Sequence, residues 1–161
     1  MRVYKVTAPN ITVANQAVSL VVIMPTAGQT IKILRAEVSQ HANATSAQQR
    51  ILMGTKASVF QTVVTATPKP INLSDPASGI VGISGSIAAG KCGINASAEG
   101  AGTLTDLYNG AFNVLNGWLW IPTPDEQIII NGGSAQAFAL QFPAAPTTLT
   151  GWNAEVTFAE V

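Results

Sequence analysis

Apolar and polar residues alternate along most of the chain. Trp152, Ala154, Val156 and Phe158 share one face of an extended segment, and Asn153, Glu155 and Thr157 share the other. Phe138, Leu140 and Phe142 repeat the pattern against Ala137, Ala139 and Gln141. A period of two, carried by β-branched and aromatic side chains, predicts strands. The same reading predicts strands over residues 3–8, 18–24, 30–39, 50–56, 59–65, 113–121 and 126–131. In the strand that starts at Thr30 the apolar face switches at Ile33-Leu34, which predicts a β-bulge. Pro25-Thr-Ala-Gly28, Asn131-Gly-Gly133 and Pro143-Ala-Ala-Pro146 supply turn chemistry between these runs. No ten-residue stretch has a helical period. Eight or nine short strands in one domain predict an all-β, antiparallel β-sandwich of the jelly-roll kind.

Residues 67–103 break the alternation. They carry Pro68, Pro70 and Pro76, seven glycines between Gly79 and Gly102, and few large apolar side chains. The composition predicts a long Gly/Pro/Ala-rich insertion holding one short strand at most. Unstructured connections of this length are usually functional or mobile. The segment is therefore expected to be the most mobile part of the free protein and at least partly ordered by a neighbouring subunit on the particle, with Lys69 and Lys91 as its only basic residues.

Length and charge narrow the function. A single domain of 161 residues buries about 70% of its unfolded surface, enough for a real core. Eight basic and eight acidic residues cancel, and charged residues make up 10% of the chain, against about 25% in ordinary domains. That balance argues against a nucleic-acid partner, which needs a basic surplus on some face. With 47% hydrophobic residues the chain also lacks the signature of disorder. A surface so poor in charge is suited to meeting other protein. Residues 17–25 are separated from Arg2 and Lys5 by polar residues and do not read as a signal peptide. No apolar run reaches the roughly 20 residues of a spanning helix, so no membrane partner is expected.

Candidate chemistry is sparse. Gly85-Ser-Ile-Ala-Ala-Gly90-Lys91 matches the P-loop consensus, but Cys92 stands where a magnesium-binding Ser or Thr belongs, and residues 93–102 cannot make the required helix. His41, the only histidine, lies in the polar run Gln40-His-Ala-Asn-Ala-Thr-Ser46 and reads as an exposed connection rather than a catalytic base. Cys92 is alone, which excludes an intrachain disulfide and any multi-thiolate metal site. Asp125 and Glu126 are adjacent, so on an extended chain they point to opposite faces, wrong for paired acid/base work. Trp118 and Trp120 share one strand face and Trp152 heads an apolar stripe; core or subunit packing explains all three, with a sugar-binding platform as the alternative. Asn10, Asn43, Asn72 and Asn95 fit the glycosylation pattern, which matters only in a secretory pathway. The expectation is a protein with no catalytic, cofactor or metal site, and not an enzyme.

Several segments, taken in order, resemble a family of small proteins encoded near tailed-bacteriophage head genes, the capsid decoration or cement proteins. They are Ile33-Leu-Arg-Ala-Glu-Val38, Ala44-Thr-Ser-Ala-Gln48 leading into Arg50-Ile-Leu52, Asp75-Pro-Ala-Ser78, Phe112-Asn-Val-Leu-Asn-Gly-Trp-Leu-Trp-Ile-Pro-Thr-Pro-Asp-Glu126 and Val156-Thr-Phe-Ala-Glu160. The stretch Gly117-Trp-x-Trp-x-Pro-x-Pro-x-Glu126 is the most specific of them. The resemblance implies a jelly-roll virion protein, made in the host cytoplasm, that forms a homotrimer. Its partner would be the major capsid protein on the outer surface of an icosahedral head, where the trimer clamps neighbouring shell subunits. The alternative is the trimeric receptor- or glycan-binding head of a phage fibre.

Overall fold

The computed structural model describes residues 1–161, and almost all of its regular structure is strand. The strands are β1 (Arg2–Ile11), β2 (Val18–Met24), β3 (Thr30–Gln40), β4 (Gln48–Ala57), β5 (Thr62–Thr65), β6 (Lys69–Pro70), β7 (Val81–Gly82), β8 (Gly85–Ser86), β9 (Lys91–Ala98), β10 (Thr103–Asn113), β11 (Trp118–Trp120), β12 (Ile128–Asn131), β13 (Gln136–Phe142) and β14 (Trp152–Glu160). One sheet runs β11-β3-β14-β1-β6, with β12 also on β3; the other runs β10-β4-β13-β2-β9-β5-β8, with β7 on β9. Every ladder is antiparallel except β7 on β9.

Leaving out β5 to β9 exposes the plan. The remaining strands run β1-β14-β3-β11/β12 in one sheet and β2-β13-β4-β10 in the other. Successive strands mostly change sheets, which is the wrapping of a jelly roll. The apolar stripes explain why the sheets meet: Trp152, Ala154, Val156 and Phe158 are all buried and face Phe138, Leu140 and Phe142 across the core. Trp152 sits edge-on to Phe142 at 4.7 Å and to Phe112 at 6.3 Å. Its indole Nε1 donates to the Thr148 carbonyl at 2.8 Å, so the ring is buried without an orphaned donor. The bulge in β3 is present. Thr157 pairs with Arg35 and Phe158 with Ile33, leaving Leu34 as the extra residue that changes the buried face.

The insertion departs from the expectation of a loose excursion. It carries β6 to β9, and β9 is an eight-residue inner strand between β2 and β5. The excursion begins well before residue 67 and takes in β5 as well, since Ala57 and Thr103 are ladder partners and the chain leaves and rejoins the sandwich there. Between them the chain crosses the outer face of the second sheet, adds β9, β5 and β8 beyond β2, places β6 beyond β1, and crosses back. Ile80 from this segment is wholly buried in the main core. The outward side chains Val22, Met24 and Ala137 are covered by Val63, Ile87 and Ala96, a second small core. Small residues make this possible. A side chain on Gly93 would lie 2.2 Å from Val63 Cγ2, so only glycine lets β5 close over β9.

Two further boundaries differ from the alternation pattern. Residues 113–121 are not one strand: β10 ends at Asn113, a turn closed by Asn116 N–H to the Asn113 carbonyl at 3.0 Å follows, and β11 starts at Trp118. Fourteen strands form rather than eight or nine, four of them (β6, β7, β8 and β11) only two or three residues long.

Candidate interaction surface

The two long sides of the sandwich differ. On the side away from the insertion, β10 ends one sheet and β11 with β12 ends the other, and neither has a further strand. An outer strand with no neighbour leaves backbone N–H and C=O groups free for another chain. The β10 register shifts between Asp106 and Tyr108, so Leu107 is a bulge residue, and it stands 53% exposed. Inside this edge Tyr108 and Trp118 pack with ring centres 5.6 Å apart, and Trp118 Nε1 donates to the Tyr108 hydroxyl at 3.3 Å. The aromatic pair closes the gap between the sheets and leaves aliphatic residues outermost. Leu119 is 54% exposed, Ile121 66% and Ile129 57%.

A groove of about 460 Å³ runs between these edges, walled by Leu107, Tyr108, Trp120, Ile121, Pro122, Glu126 and Ile128. The turn at its end is preorganised. Thr123 N–H and Oγ1–H donate to Glu126 Oε2 at 3.3 and 2.9 Å, a capping box over the 3-10 turn Pro124–Glu126. Glu126 is the charged residue of the groove wall and is in no ion pair, while Asn109 accepts from Arg50 Nη2 at 3.2 Å and donates to Asp106 Oδ2 at 3.5 Å; the ion pairs that form are Lys5–Glu155 and Arg35–Glu37. The arrangement can bury aliphatic side chains and pair backbone. It offers no group positioned for bond making or breaking.

The residues singled out in the sequence do not converge. Asp125 is exposed and Glu126 is engaged in the capping box, so the pair is a turn. Trp118 and Trp120 share a face, as expected, and pack against the core, while Trp152 is buried. His41 is exposed, its ring Nδ1 3.3 Å from Asn153 Nδ2. Burial pushes the Cys92 thiol up to about 12, and its Sγ lies 2.8 Å from the Ala66 carbonyl, so it carries no thiolate at neutral pH. Gly85 falls in β8 and Lys91 opens β9, where a P-loop requires a helix. Among the Asn-x-Ser/Thr sites, Asn43 and Asn72 accept from the N–H groups of Thr45 and Ser74 and shape turns. Asn10 and Asn95 take left-handed backbone angles, at bulges or next to them.

Leu107, Tyr108 and Ile121 were not legible as surface residues. Their signal, in hindsight, is the weak alternation of Leu104, Tyr108 and Phe112 within a polar segment. No group of three or more His, Cys, Asp or Glu side chains is placed to hold a metal ion. No helix is long and apolar enough to cross a membrane. No protein-family model, curated protein or solved structure matches the chain.

Proposed function

We propose that the protein is a structural component of a phage virion, a decoration protein that seats as a homotrimer on the outside of the capsid and holds neighbouring major capsid subunits together. The observation that carries this reading is the open side of the jelly roll. It combines two unpaired strand edges, four exposed aliphatic side chains and a preformed groove. The Gly117–Glu126 stretch, the most specific element of the resemblance to decoration proteins, builds much of that side.

The physics of the role is consistent with such a surface. A filled head is under outward pressure, and a trimer spanning several shell subunits adds modest contacts that combine by avidity. Aliphatic and backbone contacts of this kind hold in salt better than charge-steered ones. The fibre-head reading is less supported, because Trp118 is engaged with Tyr108 and not displayed beside polar side chains. Cryo-EM of heads assembled with and without the protein tests the proposal. Trimeric density on the outer surface, present only with the protein, is expected; full occupancy of a tail fibre tip and none of the head would overturn it.

A further inference from the structure

Asparagine is chemically labile, most of all before glycine, where no Cβ hinders the backbone nitrogen from reaching the side-chain amide. The chain has three such pairs, Asn109-Gly110, Asn116-Gly117 and Asn131-Gly132. Two of them are held. Asn109 and Gly110 lie in the β10 ladder opposite Leu52 and Ile51, and the Asn109 side chain is engaged at both polar atoms, by Arg50 and by Asp106. Gly132 N–H donates to the Gln29 carbonyl at 2.9 Å, and a Cβ there would lie 1.8 Å from the Thr26 carbonyl oxygen, so this nitrogen is both occupied and walled in. The Asn131 side chain accepts from Thr30 Oγ1 at 3.3 Å.

The third pair is not held. The Asn116 side chain is exposed and makes no hydrogen bond, and the Gly117 N–H makes none either. The turn just before it is pinned: Asn113 Oδ1 accepts from Leu115 N–H at 3.0 Å, and Asn113 Nδ2 donates to Ser46 Oγ at 2.6 Å. Gly117, at φ +69°, then carries the chain into β11. The Asn116–Gly117 peptide unit is thus the free link between a fixed turn and a strand. A cleft of about 350 Å³ beside it, walled also by Glu37, Ser39 and Leu119, gives water access to both residues.

We propose that Asn116 is a site of self-modification, a slow covalent switch on the open side of the sandwich. The Gly117 nitrogen gives up its proton to hydroxide and attacks Asn116 Cγ; the new N–C bond displaces the side-chain nitrogen as ammonia and closes a succinimide ring. Water then opens the ring. Opening at Cγ leaves aspartate in an ordinary chain, and opening at the backbone carbonyl leaves isoaspartate, with the chain running through the side chain. The sequence of steps consumes water, releases ammonia and involves no oxidation or reduction. Both products add a negative charge to a chain of zero formal charge. Isoaspartate also lengthens the backbone by a methylene just ahead of Trp118, which pairs with Val38 in a strand of three residues. So short a ladder yields, and the hydrogen bond from Trp118 to the Tyr108 hydroxyl is lost with its register.

Peptide mapping by mass spectrometry tests this on the full chain, kept folded for weeks in mildly alkaline buffer. Chymotryptic cleavage after Tyr108, Phe112 and Trp118 puts Asn109, Asn116 and Asn131 on separate peptides. Asn116 is expected to convert to aspartate and isoaspartate about tenfold or more faster than Asn109 or Asn131, each of which must first break a hydrogen bond. In urea-unfolded chain the three are expected to convert at similar rates. Asn116→Gln, at an exposed position, closes a larger ring far more slowly and is expected to keep the β-sheet circular dichroism spectrum and to stay intact. Aged wild type, but not aged Asn116→Gln, is expected to show altered tryptophan fluorescence. Equal rates at the three pairs in the folded protein, or faster conversion at Asn109 or Asn131, would overturn the proposal. Conversion at Asn116 with unchanged fluorescence would overturn its coupling to the Tyr108–Trp118 seal.

Discussion

Beyond β1 and β2 the insertion adds strands to both sheets and plugs the gap with Ile80; beyond β10, β11 and β12 there is only solvent. Each side began as a pair of strand edges. The covered side turns its edge groups into ladder bonds, and it extends over the outer face of the second sheet so that β2 is buried on both faces. The open side uses side chains instead: the Tyr108–Trp118 pair seals the gap, and a bulge at Leu107 interrupts the flat edge. Edges left straight and apolar invite unlimited pairing, so a bulged edge with a shaped groove selects a partner.

The polar part of the covered side is equally specific. Glu99, on the returning crossing, accepts at Oε2 from Ser19 Oγ at 2.7 Å and from Gln141 Nε2 at 3.1 Å, and at Oε1 from Ser19 N–H. Gln61, on the outgoing crossing, donates to Ser19 Oγ at 3.1 Å, and Lys56 Nζ donates to the carbonyls of Glu99 and Gly100. Five side chains far apart in sequence thus pin both crossings to the sheet. Because the donors are buried, their satisfaction depends on Glu99 staying in place.

The contrast can be broken most decisively at Ile80. Ile80→Ala is expected to cost about 2–5 kcal/mol in urea unfolding, as a large-to-small change in a closed core. A cost below about 1 kcal/mol would mean that the insertion does not seal its side. Glu99→Ala is expected next, at about 1–3 kcal/mol, because it strands the Ser19 and Gln141 donors. The same variant should speed tryptic cleavage after Lys91, which in the wild type is held in β9; Lys69 precedes a proline and resists trypsin in both. Unchanged cleavage would show that apolar packing alone holds the crossings.

On the open side the order of effects reverses. Ile121→Ser is expected to move stability by no more than about 0.5 kcal/mol while weakening self-association. A large loss of stability in the dilute protein would show that the groove belongs to the core. The smallest effect is expected on neither side, at Lys5–Glu155. Burial raises the Glu155 carboxyl, but the hydrogen bond and charge of Lys5 and the charge of Arg35 outweigh it, and the net shift is downward. A lowered carboxyl stabilises above its unfolded value and loses that contribution as the pH falls through its folded one. For a solvent-screened pair this amounts to less than about 1 kcal/mol, shrinking with salt. Acid titration of the wild type against Glu155→Gln measures it, and a difference that grows as the pH falls would have the wrong sign.

Alternation by itself determined the fold class, the inward stripe of β14 and the phase change at Leu34, because side-chain direction along a strand is a local property with a period of two. It also separated the P-loop consensus from a real one, since no helix can follow Gly90 in a run so rich in glycine. Which edge is covered was decided only in three dimensions. Strand edges pair through backbone groups that nearly every residue shares, so the pairing of β9 with both β2 and β5 leaves little mark on composition. β9 was illegible because its glycine and alanines are small in order to let Val63 close over them, which reads as a loop. β10 was illegible for the opposite reason, since an outer strand wet along one face holds polar residues where an inner one would hold apolar ones. The Glu99 cluster joins residues 42 to 80 positions apart, and such contacts are set by the tertiary fold, where the two sheets and the insertion must satisfy their cores and their backbone bonds at once.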